Sequence, residues 1–259
     1  MAAEVLLARD GDIATVTLSN PGRLNALNHF MWMRLGELMR TLGEDDALRC
    51  IVLTGAGDQA FAAGADIAEF STERSNAGQA RAYGEGVAAT MRAVRECRHP
   101  TLALIRGACV GGGLEIASQC DMRICGASSK FGVPIKNLGL VLAYDEMAGL
   151  IALAGRAATL EILLEGRVFG AEEARAKGLV NRVVADDEVV SEAYAAARRI
   201  AEGAPLAARW HKKFASRLAD PRPLAAQEHD ECYACFDTED YRLGVEAFLA
   251  KTKPEFRGR

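Results

Sequence analysis

The run Gly111-Gly112-Gly113-Leu114-Glu115 constrains the fold of this chain more than any other stretch. Over the fourteen residues from Gly107 to Cys120 the only formal charge is Glu115. Moving a carboxylate into apolar surroundings costs on the order of several kcal/mol unless a partner or a function offsets it, and such a group usually has a perturbed pKa. A strand-like run, Thr101 to Ile105, comes before the glycines, and the spacing predicts a helix over Gly112 to Cys120. The first amides of that helix have no intrahelical acceptor, and its macrodipole adds about half a positive charge there, so an anion or a developing oxyanion is favoured. Glycines let a ligand touch the backbone. Glu115 lies one turn beyond Gly112, and helical side chains lean toward the N-terminus, so its carboxyl is aimed at the same spot. No Lys follows the glycines as a Walker loop would require, which leaves close packing of helix on strand as their structural alternative.

The rest of the chain reads as alternating strands and helices. Glu4 to Arg9 and Asp12 to Leu18 form a hairpin around Asp10-Gly11. Asn25 to Asn28 leads into a helix carrying Met31, Leu35, Leu38, Met39 and Leu42 at helical spacing, and Arg49 to Thr54 is a buried strand. Gly55 to Ala60 fits the loose dinucleotide pattern, but no helix opens directly after it, so a glycine turn is the preferred reading. Asp66 to Phe70 starts a short helix, Ser71 to Gly78 is a polar, mobile loop of the kind that borders binding sites, and Ala80 to Cys97 is helical with Tyr83, Val87, Met91 and Val94 on one stripe. An apolar helix runs to Ala154. The remainder is helical: Ala157 to Glu165, Ala171 to Lys177, Asp186 to Glu202, Leu206 to Leu218, and Leu224 to Ala250 with a break near Asp237. Residues 1–200 are expected to form the core and 201–259 a C-terminal helical region.

Composition removes several function classes. With 259 residues and a formal charge of -4, the chain gives no sign of a polyanion partner, so nucleic acid is not expected. The N-terminus lacks the basic and apolar regions of a signal peptide, and no run approaches the ~18 apolar residues of a spanning helix, so the expectation is a cytoplasmic protein with no membrane partner. Seven scattered cysteines point to reduced thiols. Cys232 and Cys235 form a C-x-x-C without a second ligand pair, so no metal is expected. His99, His211 and His229 read as surface or packing residues.

Asn25-Ala26-Leu27-Asn28, Phe61 to Asp66, Gly111 to Glu115, Cys120-Asp121, Phe131-Gly132 and the tail from Glu239-Asp240-Tyr241 to Phe256 together resemble the enoyl-CoA hydratase/isomerase (crotonase) superfamily. The resemblance covers almost the whole chain, with the motifs in the family's order and spacing. It implies an α/β fold, a crotonase-like spiral of ββα units followed by a helical C-terminal trimerisation region, and a homotrimer or dimer of trimers. It implies an acyl-CoA thioester substrate, with coenzyme A part of the substrate and no separate cofactor. It maps the two backbone amides of an oxyanion hole to Ala65 and Gly112. The backbone from Ala63 to Ile67, including Asp66, would hold the adenine and pantetheine, with Arg23 near the phosphates and Lys253 and Phe256 reaching coenzyme A from the tail or from a neighbouring subunit. Arg23 and Lys253 could equally be solvated charges.

The sequence departs from the family at the second acid. Hydratases of this kind use one glutamate on the glycine-rich helix, here Glu115, and another just after the Phe-Gly-x-Pro segment, where this chain has Ile135. A positioned acid or base contributes about a hundred- to ten-thousand-fold, so a replacement is required for ordinary hydration. Leu142 and Ala143, at a position some relatives use, are inert. Asp145 is the expected substitute, with Lys136 as an alternative; helix capping is the competing role for Tyr144-Asp145-Glu146. Three functions follow: an acyl-CoA hydratase or isomerase using Glu115; an acyl-CoA decarboxylase or hydrolase on the same hole; or a non-catalytic acyl-CoA binder.

Overall fold

The computed structural model describes residues 2–259. Strands β1 (Glu4–Asp10) and β2 (Ile13–Ser19) form the expected hairpin, turning at Gly11 with φ 58° and pairing Asp10 with Ile13. Helix α1 (His29–Glu44) follows, capped by the Asn28 side chain, which accepts from Met31 N.

Three turns of chain then repeat one path. Each enters a large sheet, crosses to a small sheet through a short second strand, and returns by a helix. The first is β3 (Cys50–Gly55), β4 (Ala60–Ala62), a one-turn helix α2 (Phe70–Glu73) and α3 (Ala77–Arg95). The second is β5 (Thr101–Ile105), β6 (Ala108–Val110) and α4 (Gly112–Gln119). The third is β7 (Met122–Gly126), β8 (Lys130–Gly132) and α5 (Tyr144–Glu165). The large sheet runs β1-β2-β3-β5-β7-β10, parallel from β2 onward, and the small sheet runs β4-β6-β8-β9. Strands β9 (Phe169–Gly170) and β10 (Arg182–Val184) flank α6 (Ala171–Ala176). This is the spiral of ββα units that the sequence led us to expect.

Both faces of the large sheet are covered, which is why its central strands read as unbroken apolar runs. Alternate residues serve different layers: Ile51, Leu53, Ala103 and Ile105 face the core shared with α1, α3 and α4, while Cys50, Val52, Leu102 and Leu104 face α7 (Val189–Ala201). Beyond it lie α8 (Pro205–Leu218), α9 (Ala226–Asp230), a 3-10 segment over Glu231–Asp237 and α10 (Glu239–Ala250), so the break expected near Asp237 is present.

Several expectations change. Helix α3 begins at Ala77 rather than Ala80, and the supposed loop before it contains α2. The two helices expected on either side of Gly155 are one run, kinked where Gly155 adopts φ 71°. That run, with a mean hydropathy of 1.6 over its most apolar window, is long and apolar enough to cross a membrane, contrary to the sequence reading. In sequence, Gly155 and Arg156 disguise its length; in the fold, its Gly149, Leu150, Thr159 and Ile162 are buried in the protein. His99 is fully buried rather than at the surface, and neither ring nitrogen has a hydrogen-bond partner.

Candidate active site

Helix α4 is fastened at both ends. At its start, Gly111 has φ 53° and ψ -127°, a conformation L side chains rarely adopt, and its N–H donates to Gly132 O at 2.8 Å. Gly113 lets the helix press against β4, since a Cβ there would stand 2.2 Å from Ala62 O. A Cβ on Gly112 would lie 3.0 Å from the Trp32 ring and 3.6 Å from Ala65 N, so the Gly112 and Ala65 backbones are close neighbours. Ala65 is held by a bridge to Leu27: Leu27 N donates to Gly64 O and Asp66 N donates to Leu27 O, each at 2.8 Å. Among the described residues, none of the turn, loop or cap bonds uses the N–H of Ala65 or of Gly112. At the far end, the buried Arg123 guanidinium donates to Cys120 O at 2.5 Å and to Leu179 O at 2.8 Å, putting a cation on the negative pole of the helix.

A cavity of about 130 Å³ opens over the start of α4. Ala63, Ala65, Gly112 and Glu115 form one side, and Ile135, Leu142 and Glu146 form another. Glu115 is 5% exposed. Burial raises its pKa well above 4.5, the Glu146 carboxylate raises it further by repulsion, and the Arg74 guanidinium opposes both. Burial, the larger cause, and the nearby Glu146 carboxylate thus both favour the protonated form of Glu115.

The residues expected from sequence divide into three groups. Glu115, Ala63, Ala65, Ile67 and Gly112 line the cavity together. Asp66 and Arg23 sit beside it: Asp66 accepts from Ala68 N at 3.1 Å, and Arg23 Nη1 approaches Asp66 Oδ1 at 3.4 Å with its side chain 58% exposed. Lys253 and Phe256 lie elsewhere in the chain, Lys253 paired with Glu202 at 2.7 Å and the Phe256 carbonyl accepting from Arg49.

The two adjacent acids of α5 are placed differently. Asp145 does not face the cavity; it accepts from Arg92 Nη1 at 2.9 Å and Arg95 Nη2 at 3.4 Å, tying α5 to α3. Lys136 lies with its stem against Gly166, also outside the cavity. Glu146, the helix neighbour of Asp145, lines the cavity. Glu146 Oε2 accepts from Ala143 N at 2.8 Å, so one residue closes the first turn of α5 and lines the cavity. Helical phase carried the signal: Glu146 shares a stripe with buried Gly149 and Leu150 and with Leu153 and Ala154, which pack on the core. The sequence reading did not name Trp32 or Phe70 as cavity residues, whereas Arg74 lies in the polar segment it expected to border the site. Arg74 comes from the polar segment read as a loop, where no periodicity marks a direction.

The chain is similar to known proteins over nearly its whole length. The family model for enoyl-CoA hydratase/isomerase matches residues 8–259. The short-chain-enoyl-CoA hydratase of Clostridium acetobutylicum is 32% identical over 258 residues, covering 98% of both chains. The crotonyl-CoA hydratase of Syntrophomonas wolfei is also 32% identical, over 97% of both. Among solved structures, an enoyl-CoA hydratase/carnithine racemase from Magnetospirillum magneticum superimposes with a TM-score of 0.97 at 52% identity, covering 100% of this chain and 97% of that one.

Proposed function

Because this chain belongs to the enoyl-CoA hydratase/isomerase family, we propose that it hydrates a 2-enoyl-CoA, with the thioester oxygen held by the Ala65 and Gly112 amides and Glu115 and Glu146 moving the protons. The carrying observation is the pair of glutamates on one cavity, one buried on the glycine-rich helix and one on the opposing helix start.

Hydration needs a base and an acid at once. One carboxylate takes a proton from water as its oxygen bonds to Cβ, and the other carboxyl gives a proton to Cα. Negative charge passes through the thioester oxygen on the way, where each aligned amide donor is worth about 3 kcal/mol. The proton taken from water replaces the one given to Cα, so the two carboxyl groups end the step with as many protons as they began with.

The coenzyme A portion is assigned to the backbone from Ala63 to Ile67, with Arg23 toward its phosphates. Lys253 and Phe256, which do not line this cavity, are assigned to a neighbouring subunit's coenzyme A. The apolar residues exposed along α10, such as Phe248 and Leu249, are assigned to subunit contacts in a trimer or a dimer of trimers. Ile135 on the cavity wall favours a second reading, double-bond isomerisation with Glu115 carrying one proton between two carbons.

Loss of conjugated-thioester absorbance from crotonyl-CoA tests hydration. The parent protein should turn over, and Glu115→Gln should be slower by about a hundred- to ten-thousand-fold. Equal slow rates in both would remove the assignment. Turnover of a 3-enoyl-CoA with no consumption of crotonyl-CoA would favour isomerisation.

A further inference from the structure

The wall of the cavity formed by α1, α2 and α3 carries an unusual set of donors. The Arg74 guanidinium lies over two aromatic faces, 4.7 Å from the ring centres of both Phe70 and Tyr83. Its side chain forms no ion pair and no hydrogen bond among the described residues, although most arginines of this chain are paired; its backbone N–H alone is used, donating to Phe70 O at 3.1 Å. The neighbouring acids on that segment are engaged elsewhere: Glu69 accepts from His29 N at 2.7 Å, and Glu73 lies 3.7 Å from His29 Nδ1.

Trp32 adds a second free donor. It is 2% exposed, and its indole Nε1 has no hydrogen-bond partner. The Tyr83 hydroxyl is close enough to feel that N–H, yet the two fall outside hydrogen-bonding geometry. Burial pushes the Tyr83 phenol up to about 12, with Arg74 opposing, so it too keeps its proton. A buried donor left unpaired is costly unless a ligand or water completes it.

A plain hydrocarbon chain satisfies none of these groups. We infer that Arg74, Trp32 and Tyr83 form an anion subsite at the acyl end of the cavity, and that the preferred substrates are acyl-CoA esters whose acyl group carries a second carboxylate. The aromatic faces of Phe70 and Tyr83 hold the guanidinium in place, which reduces the entropy lost when a carboxylate arrives. Glu146 is turned back to the Ala143 amide, and the Glu115 carboxyl feels the Arg74 charge without forming an ion pair with it among the described residues.

This rests on the reading of the cavity as an acyl-CoA site, and calorimetry separates the two claims. Glutaryl-CoA and butyryl-CoA are titrated into the parent protein, Arg74→Met and Arg74→Lys. A charge-assisted contact predicts that the parent binds glutaryl-CoA about ten- to a hundredfold tighter than butyryl-CoA. Arg74→Met should bring the ratio to about one, and Arg74→Lys should keep part of it. Equal affinities in the parent, or a parallel loss of both esters in Arg74→Met, would overturn the anion subsite alone. Failure of every CoA ester to bind the folded parent would overturn both claims.

Discussion

Asp145 and Glu146, adjacent in the first turn of α5, serve opposite sides of it: Asp145 is clamped by Arg92 at 2.9 Å and Arg95 at 3.4 Å, and Glu146 lines the cavity that Glu115 enters. One residue fastens the helix and the next lines the cavity. Glu146→Gln should therefore lower kcat/KM for an enoyl-CoA by about a hundred- to ten-thousand-fold. Asp145→Asn should remove a partly exposed ion pair, worth no more than about 1 kcal/mol, and leave kcat/KM within a few-fold. Steady-state kinetics on the two variants decides between them, and the reverse ranking would return the role to Asp145.

Glu115 makes stability fall as pH rises. Its folded pKa is raised, mainly by burial. Below its ordinary value of 4.5 both folded and unfolded chains hold the proton, and the group makes no difference. Above that value the unfolded chain releases the proton while the folded one keeps it, so the unfolded state gains until the folded pKa is passed. Glu115→Gln removes this term. The Tm of the variant should exceed that of the parent by a margin that widens as pH rises above the ordinary 4.5. Parallel Tm profiles for the two proteins would contradict it.

His99 acts with the opposite sign. Burial, aided by Arg209 and Arg98, lowers its pKa to about 4. Between the usual 6.5 and that value the unfolded chain takes up a proton that the folded chain refuses. Stability is therefore full above 6.5 and is lost as pH falls toward about 4. His99→Leu should flatten that acid limb, read as the shift of the urea midpoint between about pH 7 and pH 5.

Two glycine substitutions should move in opposite directions. Gly113→Ala drives a Cβ to within 2.2 Å of the Ala62 carbonyl, so α4 must retreat from β4. A loss of about 1–3 kcal/mol or more is expected, together with a fall in kcat as the Gly112 amide moves away from Ala65. Gly84→Ala, inside α3 with open space around it, should stabilise by about 0.5–1 kcal/mol. Denaturant midpoints and a crotonyl-CoA assay on both variants provide the check.

Sequence carried much of this because the central physics is local. Glu115 stood out as the one charge in an apolar stretch, and β3 and β5 showed as continuous apolar runs since both sheet faces are covered. The small sheet stayed hidden because β4, β6 and β8 have three residues each, too few for any period to show. Choosing Asp145 over Glu146 turned on helical phase, which one residue of slip changes by about 100°. Arg74 escaped because the side chains around it come from α1, α2 and α3, which meet only in the folded chain.

The tight seat of α4 against Ala62 and Ala65 also bears on how such a chain diverges. Its two amides belong to the main chain. At Ala65 only a codon for proline would delete the N–H itself, and at Gly112 and Gly113 the crowding by Trp32 and Ala62 penalises almost any other codon. The acid and the guanidinium, by contrast, are ordinary side chains on a helix start and a short connecting segment, open to single-base change. Inheritance therefore falls unevenly on the two halves of the site: the paired amides persist through mutation, and the side chains around them drift.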